Sequence, residues 1–232
     1  MGKLAQKGTI ALLLLLVAVV VTGCGPQIAE PGWGAINADA STVYVGMSTG
    51  KFVALNADSG LVRWEFPKDK AQLAGFYGTP ALAGDLVIFG ASDPAGHPVK
   101  VYALDRATGE QRWVFDRVKE AVVGGPTAVG EVVYVTSADR SVYALNLQTG
   151  QPVWPRPFET GGWVWSSAVR GDDRLFFGSM DHSVYALQAA DARLVWRFAT
   201  VGAVPGTPLV SGGRVFAGDV SNRLYAIDAQ TG

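Results

Sequence analysis

Two histidines, one cysteine and one adjacent pair of aspartates mark the places where this sequence could do chemistry. His97 lies in the run ASDPAGHPVK (residues 91–100), with no cysteine or second histidine near it. His182 occupies a turn position that related segments fill with Gly50, Arg140 and Asn222. Neither has the ligand spacing of a metal site, so no metal is expected. Asp172-Asp173 reads as a polar turn between two strands, not as a carboxylate pair for acid–base work. No phosphate-cradling glycine loop appears, and no nucleophile–base pair can be assembled from spacing. The expected number of catalytic residues is therefore zero. The remaining reactive group is the thiol of Cys24, and as the only cysteine it has no intrachain disulfide partner.

The surroundings of Cys24 give it a different use. A short basic start, MGKLAQKG, precedes a wholly apolar run at residues 10–21. Twelve residues are short for a bilayer span, which needs about 20, and the order of basic then apolar segments is that of a secretory signal. Val21-Thr22-Gly23-Cys24 resembles the bacterial lipobox, in which the cysteine is acylated and becomes the first mature residue. Residues 1–23 are thus expected to be a lipoprotein signal peptide, 24–32 a lipid-anchored linker and 33–232 the folded part. More than one acyl chain would hold the protein firmly, where a single chain binds a membrane only marginally. The expected location is extracytoplasmic: the periplasmic side of the outer membrane in a diderm host, otherwise the outer face of the cell membrane. The formal net charge of −1 leaves no electrostatic footprint for nucleic acid.

The rest of the chain is one phrase repeated. Val53-Ala54-Leu55-Asn56 leads through Gly60 to Trp64, and Tyr102-Ala103-Leu104-Asp105 through Gly109 to Trp113. Tyr143-Ala144-Leu145-Asn146 leads through Gly150 to Trp154, and Tyr185-Ala186-Leu187-Gln188 through Ala192 to Trp196. A fifth copy, Tyr225-Ala226-Ile227-Asp228, runs to Thr231-Gly232. Successive copies lie 49, 41, 42 and 40 residues apart, the period of a four-stranded propeller blade. Short β-branched runs such as Val132-Val133-Tyr134-Val135 precede each phrase and have strand composition. Each repeat is therefore expected to form four antiparallel strands, A to D, with D ending at the tryptophan. The Asx side chain can bond backbone two residues on, and glycine supplies the left-handed conformation of the C–D turn. The indoles of Trp64, Trp113, Trp154 and Trp196 are expected to be structural wedges between blades, each with an N–H that needs a partner when buried. Ala192 in place of glycine would cost roughly 1–2 kcal/mol if its turn keeps the same geometry.

The pattern Tyr-Ala-Leu-Asp-x-x-Thr-Gly-x-x-x-Trp resembles the tryptophan-docking repeat of the quinoprotein-like (PQQ-repeat) β-propellers, over residues 33–232. The resemblance implies an all-β propeller in which four to five blades are present, the last lacking strand D. The expected form is an open arc, cut short at its C-terminus from a ring of seven or eight blades. The quinoprotein dehydrogenases of this family hold PQQ with a vicinal disulfide and calcium; a single cysteine cannot form that disulfide, so no cofactor is expected and the chain reads as a non-enzyme. With its anchor, it is more similar to the lipoprotein propellers of outer-membrane β-barrel assembly. That likeness implies a protein-binding scaffold whose partner is a β-barrel assembly subunit. A quinoprotein dehydrogenase fragment and a cell-surface sensor or ligand-binding propeller are the alternatives.

Loop lengths suggest where a partner sits. Gly90 to Tyr102 spans 12 residues, against 7 for the equivalent step in the other copies, and Trp64 to Pro80 spans 16, against 12–14 elsewhere. In a four-stranded meander the B–C and D–A loops leave at the same end, so both extensions are expected side by side on one face. Phe76, Tyr77, His97, Trp163 and Trp165 lie in the loops of that face and are the candidate partner-binding residues.

Overall fold

The computed structural model describes residues 34–232; Cys24, the signal segment and the linker fall outside them. Alternating short apolar runs and Gly/Asx turns fold into successive antiparallel meanders. The first sheet holds β1 (Ile36–Ala38), β2 (Thr42–Gly46), β3 (Phe52–Asn56) and β4 (Val62–Phe66). The second holds β5 (Ala81–Ala83), β6 (Leu86–Ser92), β7 (Val99–Asp105) and β8 (Gln111–Phe115). The third holds β9 (Thr127–Val129), β10 (Val132–Thr136), β11 (Ser141–Asn146) and β12 (Phe158–Glu159). The fourth holds β13 (Val169–Gly171), β14 (Arg174–Ser179), β15 (Ser183–Gln188) and β16 (Leu194–Ala199). The fifth has three strands, β17 (Leu209–Ser211), β18 (Arg214–Gly218) and β19 (Leu224–Asp228). The described residues form an all-β, open propeller of four four-stranded blades and one of three strands.

The core lies between blades. Each of four apolar clusters draws side chains from two consecutive sheets: Trp64 and Leu104 share one, Trp113 and Leu145 the next, Trp154 and Leu187 the third, Trp196 and Ile227 the fourth. The four indoles are 2–8% exposed. Burying roughly 200 Å² per indole at about 25 cal/mol/Å² corresponds to about 5 kcal/mol each before chain entropy is charged against it. Each indole N–H donates to a carbonyl in the C–D turn of the following blade: Trp64 to Arg106 (2.9 Å), Trp113 to Leu147 (2.8 Å), Trp154 to Ala189 (3.0 Å) and Trp196 to Ala229 (3.1 Å). Three of the four rings, those of Trp64, Trp113 and Trp196, rest on that turn's glycine, and Trp154 meets a turn that has Ala192 instead. A Cβ on Gly109 or Gly150 would stand 2.6 Å from the preceding blade's indole, whereas one on Gly60 meets nothing within 4 Å. In the turns themselves Asn56, Asp105, Asn146 and Asp228 each accept hydrogen bonds from backbone N–H groups two and three residues on. Ala192 adopts φ 62°, so the fourth turn keeps the left-handed geometry without glycine.

Three local expectations are corrected. The fourth strands do not end at the tryptophan; β4, β8 and β16 continue two or three residues past it. A register shift opposite Ala54/Leu55, Ala103/Leu104 and Ala186/Leu187 places a bulge just before each indole, and such a bulge re-aims the side chain that follows it. In the third blade Trp154 lies in no strand. Pro152, Pro155 and Pro157 cannot donate to the ladder, so the fourth strand is reduced to a bridge between Leu145 and Pro152 and the two-residue β12. Trp154 still docks. The long B–C segment of the second blade is mostly strand: β6 and β7 reach seven residues each, and only residues 93–98 form the loop.

Candidate functional site

The B–C turns and D–A loops gather at one end, as meander connectivity requires. The backbone of Ala74 exchanges two 2.9 Å hydrogen bonds with Ser92, joining the long D–A loop to the extended hairpin. A repeated clamp stiffens this end. Asp139 accepts from the Tyr143 hydroxyl (2.7 Å) and the Lys119 N–H (2.9 Å), and Asp219 from the Tyr225 hydroxyl and the Gly202 N–H, both at 2.8 Å. Asp181 does the same for Tyr185 and for the Gly161 N–H (2.9 Å). Each carboxylate thus ties the repeated tyrosine to the incoming D–A loop. Burial first, and then the neighbouring carboxylate, push the Tyr185 hydroxyl up to about 12. The same two causes raise Tyr143. Both phenols therefore remain donors throughout the neutral range. Arg140, His182 and Asn222 adopt φ of 62–70° at the B–C turns, where Gly50 stands in the first blade, so His182 is a turn residue by geometry.

Above this frame an open cleft of about 890 Å³ is lined by Tyr77, Trp163 and Trp165 together with Lys119, Arg140 and Glu159. Trp163 and Trp165 stack with ring centroids 5.6 Å apart and planes 13° from parallel. Their i, i+2 spacing in an extended segment puts both indoles on one side and the fully buried Val164 on the other, where it anchors the loop. Trp163 is 53% exposed. Such a surface buries apolar area readily on binding, since tryptophan, tyrosine and arginine are the residues that most often anchor interfaces. The loop backbone is largely engaged: Thr160 N–H donates to the Arg140 carbonyl, Ala138 N–H to Ala121 and Met180 N–H to Trp163. Side chains are left to make the contacts.

The five candidate binding residues separate. Tyr77, Trp163 and Trp165 converge on the cleft. Phe76 does not belong with them: it is 4% exposed and packs 6.2 Å from Phe52 and 6.1 Å from Phe89, a core residue under the loop. An aromatic directly preceding a loop tyrosine points the opposite way from it, and here that way is inward. His97 is exposed in the hairpin loop and is not among the residues lining the cleft. The Asp–Tyr clamp was not singled out from sequence, although an aspartate four residues before Tyr143 and Tyr185, and six before Tyr225, was there to be read. Among the described residues no group of three or more His, Cys, Asp or Glu side chains converges as a metal cluster. With one cysteine in the chain, the calcium-and-disulfide setting of the quinoprotein dehydrogenases does not fit these residues.

Comparison with known proteins places this architecture. The sequence profile of the family described as outer membrane protein assembly factor BamB matches residues 25–161 and 157–232. The BamB of Burkholderia pseudomallei is 33% identical over 108 residues, covering 46% of this chain and 27% of that protein. The quinohemoprotein alcohol dehydrogenase ADH IIB of Pseudomonas putida is 29% identical over 130 residues, covering 47% of this chain and 19% of that protein. The crystal structure of BamB from Moraxella catarrhalis superposes with a TM-score of 0.68 at 21% identity, over 90% of this chain and 61% of that one. The chain thus spans half or less of the length of the curated relatives it matches. The profile match runs from just after Cys24 through every repeat, and on that ground the chain belongs to the family of the outer membrane protein assembly factor BamB.

Proposed function

We propose that this protein is a lipid-anchored, non-enzymatic scaffold that works outside the cytoplasm in outer-membrane β-barrel assembly. In this reading Cys24 carries the anchor and the loop-bearing end of the blades docks onto a β-barrel assembly subunit. The observation that carries the reading is the stack of the exposed Trp163 on the half-buried Trp165 at the clamped end of a propeller of this family. A rigid frame lowers the entropy cost of binding, because the loops are ordered in advance. Tyr77, Trp163 and Trp165 are the contact residues, with His97 at the periphery. No PQQ and no metal take part. The test is affinity purification of the full chain from its own cell envelope, after mild crosslinking. Recovery of a β-barrel assembly subunit with the parent, and loss of it with the folded double variant W163A/W165A, supports the scaffold. Equal recovery with both proteins removes the stack from the role. A Cys24→Ser variant is expected to leave the membrane fraction.

A second reading, a quinoprotein dehydrogenase, is favoured only by the similarity to quinohemoprotein alcohol dehydrogenases. Dye reduction by the full chain that depends on added PQQ and calcium would establish it in place of the scaffold.

A further inference from the structure

The proline-broken edge of the third blade opens a pocket that the other blades do not have a strand gap to form. Where a continuous fourth strand would cover β11, the chain leaves the ladder after the Val153 N–H bond to the Ala144 carbonyl, and residues 154–157 bulge away, leaving a cavity of about 190 Å³ lined by Tyr143 and Trp154. Its rim carries Arg117, Lys119 and Arg156 against a single carboxylate, Glu159. Arg117, Lys119 and Arg156 are exposed. None of them is among the cations in ion pairs, which engage Lys68, Arg106, Arg112, Arg174 and Arg197 elsewhere. With the Asp139 carboxylate bonded to the Tyr143 hydroxyl and the Lys119 N–H counted beside Glu159, three cations and two anions leave a local excess of one positive charge, on a chain whose formal net charge is −1.

We propose that this pocket binds a phosphomonoester. Three cations on the rim attract a monoester, which carries about −1.5 to −2 at pH 7, more strongly than a carboxylate or a phosphodiester, which carries only one negative charge. The chemistry fits as well, since guanidinium groups present paired N–H donors that match phosphate oxygens and lysine adds a point charge. The small volume admits a compact headgroup and leaves the remainder of the ligand outside. A free phosphorylated small molecule and a lipid headgroup ending in a monoester share this chemistry. The pocket adjoins the aromatic cleft and shares Lys119 and Glu159 with it, whereas Arg117 and Arg156 line the pocket alone, so variants of these two arginines test the proposal apart from the scaffold reading.

The test uses the full chain and two probes. Phenyl phosphate is titrated by calorimetry or NMR, and vesicles containing phosphatidic acid are compared with vesicles containing the diester phosphatidylglycerol. Saturable binding of either monoester probe is expected, weakened about tenfold or more by Arg156→Gln and by Arg117→Gln. An Arg193→Gln variant, on a different blade, is expected to bind as the parent does. Affinity should rise between pH 5.5 and pH 7.5, as the monoester (second pKa about 6) becomes a dianion. The groups facing the pocket are Arg117, Lys119, Arg156, Glu159 and Tyr143, with the Asp139 carboxylate bonded to the Tyr143 hydroxyl; none of these side-chain types ordinarily titrates in that interval, so the rise belongs to the ligand. Binding to vesicles alone assigns a lipid source, and binding of phenyl phosphate assigns a soluble one. Absence of saturable binding, equal affinity for the diester or for an acidic peptide, or affinity unchanged in both arginine variants overturns the proposal. All three substitutions lie at exposed side chains, and the thermal unfolding midpoint checks that each variant is folded.

Discussion

Replacing Gly150 by alanine should destabilise the protein well beyond what the same change costs at Gly60. Both residues have nearly the same backbone conformation, φ 67° and 68°. Alanine in that left-handed region costs about 1–2 kcal/mol at either position, and the entropic effect on the unfolded chain is common to both. The surroundings differ. At Gly150 the new Cβ would lie 2.6 Å from Trp113 Cε3 and 2.7 Å from Cδ2, while at Gly60 it meets nothing within 4 Å. The indole must therefore retreat by several tenths of an ångström, which loosens its 2.8 Å bond to the Leu147 carbonyl. Overpacking of that kind adds about 1–3 kcal/mol. Gly60→Ala should cost about 1–2 kcal/mol and Gly150→Ala about 2–5 kcal/mol. Urea unfolding followed by tryptophan fluorescence measures both, with an unchanged m-value as the check on two-state behaviour. Ala192→Gly supplies the converse: it should alter stability by no more than about 1 kcal/mol, because strain is relieved while a methyl contact is lost. Equal costs for Gly150→Ala and Gly60→Ala, within about 0.5 kcal/mol, would refute the idea that the indole rests tightly on the next blade's turn.

Trp113→Phe keeps an aromatic plate but orphans the buried Leu147 carbonyl, and should cost about 1–3 kcal/mol by the same assay. Asp39 is held down to about 2, first by the Ser41 N–H bond and, against desolvation, by the side chain of Arg106. A depressed carboxylate contributes stability that is present above its ordinary value of 3.8 and is lost as pH falls towards 2; Asp39→Asn should therefore flatten that part of a stability profile measured from pH 6 to 2. Tyr185, pushed up to about 12, contributes in the opposite sense: its share is intact below pH 10, the ordinary tyrosine value, and is lost as pH rises towards 12. Tyr185→Phe should remove that alkaline dependence, read by unfolding midpoints from pH 8 to 12.

The blades were legible because their signal is redundant. Tyr143-Ala144-Leu145-Asn146 and its copies announce the third strand, the Asx side chain and the left-handed turn together, so an error at one residue is corrected by the others. Even the departure at Ala192 could be located, since a turn with Trp196 four residues on admits one geometry. What the repeat does not encode escaped. The prolines at 152, 155 and 157 sit inside a segment whose tryptophan matches the pattern, and the pattern carries no mark of the backbone donors they remove. The direction of Phe76 was equally hidden: adjacent loop aromatics look alike in sequence, and only the cage of Phe52 and Phe89 decides which turns inward. The pairing of Trp163 with Trp165 follows from alternation, but the exposure of Trp163 depends on Val164 being the residue that is buried.

The forward reach of the indole gives assembly a direction. Each of the four docking indoles finds its acceptor 33–42 residues later in the chain, so a blade emerging from a ribosome or a translocation pore is left unsealed until its successor has followed it out. Growth then proceeds as a zipper running from the amino end, each closure needing only a near neighbour in sequence, which is the regime of quick, sequential repeat folding. A pause in delivery would catch the most recent plate exposed at the growing margin, the point at which a passing chaperone has something to hold.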